Sequence, residues 1–116
     1  MRRMSFMLTS AALCKRRKTV TRRRVTTWRG LQPGDRLLAV AQAQGLRKGE
    51  RQQVLATIEV VGNIVIAIDD VTLSEVRKEG FAGFSIGEFL DVLHHAMPGE
   101  THCRRIEFRI VDGGDA

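Results

Sequence analysis

Hydrophobic and polar residues alternate along two stretches of the chain, and both predict β-strands. In residues 54–61 every even-numbered position is apolar, and in residues 104–111 the apolar Ile106, Phe108 and Ile110 alternate with charged residues. This is the period at which side chains return to one face of a strand. Residues 64–68 are almost continuously apolar, which predicts a separate strand buried on both faces after a break at Gly62. The glycine-containing stretch 45–50 is expected to be a hairpin loop.

Two later stretches carry the signals of a helix start. Thr72 is followed by Glu75, and Ser85 by Glu88, which is the spacing of a capping box. Apolar residues then recur at helical spacing after each start. The first of these helices is expected to stop near Gly80, and the second to end before the Pro-Gly pair that follows it.

The first third of the chain predicts shorter elements. Residues 5–8 are apolar enough for a first strand, and Ser10 could cap a short helix. Residues 18–21 should be extended, and a Pro-Gly turn introduces a strand over 36–41. Strands at both ends, with two helices inserted late, predict an α+β fold in which a small barrel or curled sheet is flanked by short helices. The chain, residues 1–116, is expected to be a single domain.

The charge is distributed very unevenly. Residues 1–30 contain ten Lys or Arg and no acidic residue, giving +10, whereas residues 31–116 contain nine basic and thirteen acidic residues, giving −4. Such a basic end indicates an anionic partner, with nucleic acid or a nucleotide as the leading candidate. A solvated basic surface without a specific ligand is the alternative.

The basic segment, residues 16–24, concentrates this charge. A Thr-Val-Thr inset at 19–21 is β-branched and strand-like, so the segment is expected to be structured rather than a tail. Guanidinium groups present a planar fork of donors that suits phosphate, and Trp28 in the following loop could stack on a base or else be a core or lid residue. The candidate ligand-binding residues are Arg17, Lys18, Arg22, Arg23 and Trp28.

Other chemistries find little support. Cys14 and Cys103 make no disulfide framework, and no secretory or membrane-spanning run is present, so we expect a cytoplasmic protein without a membrane partner. The histidines near Cys103 match none of the common zinc-ligand spacings, and no phosphate-cradling glycine-rich loop is found. We therefore expect no metal and no cofactor.

A family resemblance emerges from two motifs taken together. Residues 18–23, Lys-Thr-Val-Thr-Arg-Arg, followed by Pro-Gly-Asp at 33–35, resemble the opening of ASCH domains, and Glu-Gly-Phe at 79–81 and Arg-Ile-Glu-Phe at 105–108 fit the same pattern. The resemblance covers about residues 5–112. It implies a small PUA-like β-barrel with two or three short helices, and a role in binding RNA or a nucleotide.

One ASCH branch implies a catalytic alternative. It is similar to small amidohydrolases that remove the acetyl group from N(4)-acetylcytidine, using a lysine base, a threonine nucleophile and a glutamate proton donor. By motif these roles fall on Lys18, Thr21 and Glu79. The chain departs from the branch at Arg16, where glycine is usual, and at Arg22, where an apolar residue is usual. An arginine beside the nucleophile could crowd a nucleoside or grip a phosphate.

Cooperation between Lys18 and Thr21 sets a geometric condition. Residues three apart on a regular strand face opposite sides, so the backbone must be irregular between them. If they meet, neighbouring arginines should lower the lysine pKa by like-charge repulsion; otherwise Lys18 is a phosphate contact and the threonines are ordinary strand residues. We expect an RNA- or nucleotide-binding domain with a basic cleft around 18–23, or alternatively the amidohydrolase. A ribonuclease is less favoured, because the basic segment has no histidine pair.

Overall fold

The structure, a computed structural model, describes residues 1–6, 8–41 and 53–111. The predicted hairpin loop at 45–50 lies outside the described residues. In chain order the elements are β1 (Arg3–Ser5), α1 (Ser10–Cys14), β2 (Val20–Arg23), β3 (Arg36–Val40), β4 (Val54–Ala67), α2 (Leu73–Lys78), α3 (Ile86–Ala96) and β5 (His102–Ile110). The predicted α+β class is confirmed.

The five strands form one mixed sheet in the order β1-β3-β4-β5-β2. β1 runs parallel to β3, and the remaining neighbours are antiparallel. Within the described residues, no backbone ladder joins the two edge strands, β1 and β2, so the sheet is not closed by backbone hydrogen bonds. One side chain links them instead, because Arg23 Nη2 on β2 donates to the carbonyl oxygen of Ser5 on β1 at 2.6 Å.

β4 corrects two expectations. It is one continuous strand past Gly62, where two strands were predicted, because a β-bulge between Val60 and Gly62 absorbs the extra residue against β5. The apolar residues that follow are not buried on both faces. Ile64 and Val65 are exposed, whereas Ile66 packs against the cluster of side chains beneath α2 and α3.

The first strand is also shifted from its predicted position. It covers Arg3–Ser5 rather than residues 5–8, and Leu8 is exposed. The N-cap of α1 is Thr9 instead of Ser10, and no side-chain hydrogen bond caps this helix. No helix of the described ranges is both long and apolar enough to cross a membrane.

Both later helix starts agree with the sequence pattern. The hydroxyl oxygen of Thr72 accepts from the backbone N–H of Glu75 at 3.2 Å. At α3, Ser85 Oγ accepts from Glu88 N at 3.1 Å, and Glu88 Oε1 accepts from Ser85 N at 2.8 Å, which completes a capping box. These caps fix where α2 and α3 begin, and with that the loop between them.

Two apolar clusters divide the interior. The first fills the curl of the sheet and includes Phe6 and Phe108, and the second lies between the helices and the far end of the sheet and includes Phe89 and Leu93. Each large buried side chain of this kind contributes roughly 1.5–3 kcal/mol to folding. Phe6, Phe89 and Leu93 also line a cavity at the boundary between the clusters.

Candidate functional site

A cavity of ≈ 310 Å³ opens at this boundary. Its walls come from the segment after β1, from β2 and the residues before it, from the loop after α2, and from α3. Aromatic and aliphatic side chains make up much of the wall. The charged and hydroxyl side chains that line it from β2, from the residues before β2 and from the C-cap of α2 are Lys18, Thr21, Arg22, Arg23 and Glu79.

Lys18 and Thr21 meet the geometric condition for facing one space. The ladder of β2 starts only at Val20. Just before it, the N–H of Thr19 donates to the carbonyl of Lys78 at 2.8 Å, and the Thr19 carbonyl accepts from Phe108 N at 2.9 Å. Lys18 therefore precedes the regular strand, and its side chain lines the same cavity as Thr21. The two side chains do not bond directly to each other.

Glu79 anchors the cations of the site. Its carboxylate accepts from Lys18 Nζ at 3.2 Å and from Arg22 Nη1 at 2.9 Å, and Lys18 Nζ also donates to the Glu79 carbonyl at 2.6 Å. The exposed fractions of Lys18, Arg22 and Glu79 are only 2%, 6% and 3%. Buried charges are costly unless they are paired, so each of these three residues depends on the others.

The backbone after α2 explains how Glu79 reaches the cavity. Glu79 is the C-cap of α2, and the following Gly80 has φ +93, a left-handed conformation that reverses the chain. A Cβ at Gly80 would lie 2.9 Å from the Cβ of Ala12 and 3.4 Å from that of Lys18. Glycine is therefore needed both for the turn and for the close packing of this loop against α1.

A second carboxylate, Glu75, extends the network outward. Glu75 Oε1 accepts from Arg22 Nη2 at 2.8 Å and from Arg105 Nε at 2.6 Å, and Oε2 accepts from Arg105 Nη2 at 3.0 Å. The hydrogen bonds from Arg105 lower the pKa of Glu75 to about 2, against the opposing effect of burial. Alternating charges thus run from β5 through α2 to the cavity.

The lysine of the site has a perturbed environment. Burial lowers the pKa of Lys18, the nearby Glu79 carboxylate opposes that effect, and Arg23 and Arg22 add smaller lowering contributions. The sequence predicted the direction from like-charge repulsion, whereas the first cause is burial. Arg16 and Arg17 are exposed and do not line the cavity.

Arg23 differs from Arg22 in its partners. Its Nε donates to Thr21 Oγ1 at 3.0 Å and its Nη2 to the Ser5 carbonyl at 2.6 Å. The guanidinium lies 5.1 Å from the centre of the Phe6 ring. Because Thr21 Oγ1 accepts this bond, its own proton remains available for a ligand.

Trp28 is not brought to the cavity. It has a left-handed backbone conformation, φ 56, and its ring packs against the cluster inside the sheet, beneath the guanidinium of Arg2 at 4.6 Å. Arg17 likewise lies outside the cavity lining. The ligand contacts of Trp28 and Arg17 stay predictions.

Sequence reasoning assigned no site role to Glu75 or Arg105. Glu75 was identified only as a helix-cap residue, and Arg105 only as part of the last strand. The signal that could have found them is the number of arginines near the cavity, since buried guanidinium groups require carboxylates. Within the described ranges, no group of three or more His, Cys, Asp or Glu converges as metal ligands would.

Comparisons with known proteins bear on the fold. No protein-family model matches the chain, and no curated protein matches it. The chain is similar to solved structures, of which two crystal structures are examples. One is a protein from Enterococcus faecalis described by the family DUF984, with a TM-score of 0.63, 15% identity, and coverage of 89% of this chain and 66% of that protein. The other is an ASCH domain from Lactobacillus crispatus, with a TM-score of 0.66, 10% identity, and coverage of 95% and 80%.

At such low identities the similarity establishes the fold alone. The chain spans just under two thirds of the Enterococcus faecalis protein, at 66% of its length. The fold that the sequence motifs implied is therefore confirmed, and the activity has to be argued from the cavity.

Proposed function

The chain has an ASCH-type fold, and from that premise we propose that it binds a nucleotide unit, free or within an RNA chain, in the cavity beside β2. The observation that carries this proposal is the convergence of buried polar groups on an otherwise apolar cavity. Concave sites of this composition, with a few placed polar groups, are typical of small-molecule binding.

The size and charge of the cavity favour one unit over an extended strand. Its ≈ 310 Å³ is at the lower end of the range for ligand pockets, about 300–1,000 Å³. Lys18 and Arg22 are both paired with Glu79, so the cleft is less basic than the sequence suggests. For an RNA ligand, the exposed Arg17 would contact a neighbouring phosphate and add salt-dependent affinity.

The walls suggest how the unit would lie. Phe81 is the half-buried aromatic side chain of the wall, beside the buried rings of Phe6 and Phe89. A base can stack on it, and such stacking contributes about 1–3 kcal/mol per base. Lys18 and the hydroxyl of Thr21 would donate hydrogen bonds to the polar edge of the ligand. Together they give an apolar face and a polar edge, as a nucleobase requires.

Titration calorimetry with the four nucleosides, their monophosphates and a short single-stranded RNA tests this proposal. Thr21→Val should weaken binding about 2- to 12-fold, because one hydrogen bond contributes about 0.5–1.5 kcal/mol. Thr27→Val is the matched control, since Thr27 is exposed and bonds only to the carbonyl of Arg24. Failure of the wild-type protein to bind any of these compounds would contradict the proposal.

A second candidate is the amidohydrolase, and the Lys18–Glu79 pair favours it. The proton between Lys18 Nζ and Glu79 Oε1, 3.2 Å apart, can move to the carboxylate and leave a neutral amine. That amine would take the Thr21 hydroxyl proton as Oγ1 bonds to the acetyl carbon, and Glu79 would protonate the departing amine as the C–N bond breaks. Water would then hydrolyse the acetyl ester, releasing acetate and restoring Thr21.

The contact of Arg22 with Glu79 is unfavourable for the amidohydrolase reaction, and an activity assay decides whether the reaction occurs. Arg22 Nη1 donates to Glu79 Oε2 at 2.9 Å, so one oxygen of the proposed proton donor is already bound to a cation. Incubation with N(4)-acetylcytidine should release cytidine from the wild type and the Thr27→Ala control, but not from Thr21→Ala. Equal release by Thr21→Ala, or none by the wild type, would contradict this candidate for that substrate.

A further inference from the structure

The charges that line the cavity do not balance. Lys18, Arg22 and Arg23 face it, and Glu79 is the one carboxylate among the described residues of the lining. Glu79 is bound by Lys18 and Arg22. The next carboxylate, Glu75, lies outside the lining and is already shared by Arg22 and another arginine. The positive charge of Arg23 is therefore left over.

Arg23 is held only by neutral groups. Its two hydrogen bonds go to the Thr21 hydroxyl and to the Ser5 carbonyl. No carboxylate forms a salt bridge with it anywhere in the part of the chain that the structure describes, and Glu79 acts on it only over a longer distance. A guanidinium has five N–H donors, so three of them have no acceptor among the residues that the structure describes.

This arrangement is electrostatically incomplete. Arg23 is half-buried, and burial lowers its pKa, yet an arginine keeps its charge in a protein, so its remaining donors need water or an anion. Its bonds to Ser5 and Thr21 hold the guanidinium against the cavity wall. An anion arriving in the cavity would supply the missing counter-charge, and the planar fork of donors fits the oxygens of a phosphate.

We infer that the ligand of the cavity carries a phosphate group, which binds to Arg23 beside the Thr21 hydroxyl. The inference rests on the proposed function and deepens it, because it assigns the phosphate of the nucleotide unit to Arg23. It also assigns phosphate binding to Arg23 instead of the neighbouring Arg22. Arg22, whose place in the sequence suggested a phosphate grip, is committed to Glu79 and Glu75, whereas Arg23 is available.

The test compares cytidine, cytidine 5′-monophosphate and inorganic phosphate by titration calorimetry at one fixed salt concentration. The monophosphate should bind at least about tenfold more tightly than the nucleoside, because a hydrogen bond to a charged group contributes about 1.5–3 kcal/mol. Arg23→Gln should remove this preference. Arg24→Gln is the matched control and should keep it, since Arg24 is exposed and pairs with Glu100 at 3.4 Å.

The possible outcomes separate the two proposals. Equal affinity of the wild type for nucleoside and monophosphate would overturn the phosphate inference and leave the proposed function intact. If the wild type binds inorganic phosphate but neither nucleoside nor nucleotide, and Arg23→Gln abolishes this binding, the phosphate site is supported. The proposal that the cavity binds a nucleotide is then contradicted. Binding of none of the three would overturn both. The wild-type comparison decides the inference even where Arg23→Gln fails to fold.

Discussion

Two carboxylates in this protein, Glu59 and Glu75, are each clamped between two arginines. Glu59 lies on β4, where it accepts from Arg36 Nε at 3.2 Å and from Arg109 Nη2 at 3.0 Å. These two arginines are 55% and 60% exposed. Solvent therefore screens the clamp at Glu59.

Glu75 is likewise bound by two arginines, Arg22 and Arg105, but these arginines are much less exposed to solvent. Arg22 is fully enclosed, and Arg105 and Glu75 are 17% and 16% exposed. The far side of Arg22 is bound by a second carboxylate, Glu79. Removal of one member here leaves the others buried without a counter-charge.

The comparison shows that surroundings, not pairing, decide what an ion pair contributes. The charges of an exposed pair are hydrated in both the unfolded and the folded protein, so their net effect on the free energy of folding is small. A buried pair is costly to form, and it is still more costly to break, because the orphaned charge has no water to return to. The network from Arg105 to Lys18 is therefore best regarded as one unit that shapes the cavity.

Glu79→Gln should produce the largest effect. The variant leaves Lys18 and Arg22 enclosed without their shared carboxylate, and breaking a buried pair in this way costs about 3–5 kcal/mol in the free energy of unfolding. Urea denaturation followed by circular dichroism measures it. Glu100→Gln removes the partner of the exposed Arg24 and should leave the midpoint almost unchanged; similar midpoints for the two variants would break the comparison.

The loss of stability at low pH should distinguish the buried clamp at Glu75 from the exposed clamp at Glu59. The pKa of Glu75 is lowered from 4.5 to about 2, so its contribution to stability is present above pH 4.5 and is lost as the pH falls towards 2. Allowing for solvent access, this contribution is on the order of 1–2 kcal/mol.

Urea denaturation of the wild type, Glu75→Gln and Glu59→Gln at several pH values between 2 and 6 measures it. Glu75→Gln should be less stable than the wild type at about pH 6 and should lose less stability on acidification. Glu59→Gln should change the curve less than Glu75→Gln does, because hydrogen bonds from Arg109 also lower the pKa of Glu59 but its two arginines are exposed to solvent. Parallel curves for the wild type and Glu75→Gln would contradict the assigned role of this carboxylate.

Features that depend on residues close together in the chain could be predicted from the sequence, whereas features that depend on distant residues could not. The cap at Ser85 and the alternation of β5 were predictable, because each depends on residues a few positions apart. The continuation of β4 past Gly62 was not, since the bulge depends on pairing with β5. The roles of Arg22 and Arg23 were indistinguishable, because the partner that separates them, Glu79, lies 57 positions from Arg22.

The alkylation rates of the two cysteines should also reflect the difference between exposed and buried regions, and this is the smallest of the expected effects. Cys14 is exposed, whereas Cys103 is buried and burial raises its pKa, with an opposing effect of the adjacent Arg22. The thiolate is the reactive form, so iodoacetamide should label Cys14 quickly and Cys103 only slowly, as mass spectrometry of the labelled peptides can measure.

Loosening Arg22 should open the layer that covers this thiol. Glu75→Gln should therefore increase labelling of Cys103 more than Glu59→Gln does, without a matching change at Cys14. Local opening of this kind precedes global unfolding in many proteins, so the effect should be visible under conditions in which the variant is still folded. Equal labelling of Cys103 in both variants would mean that the buried clamp contributes to global stability without controlling access to the interior beside the cavity.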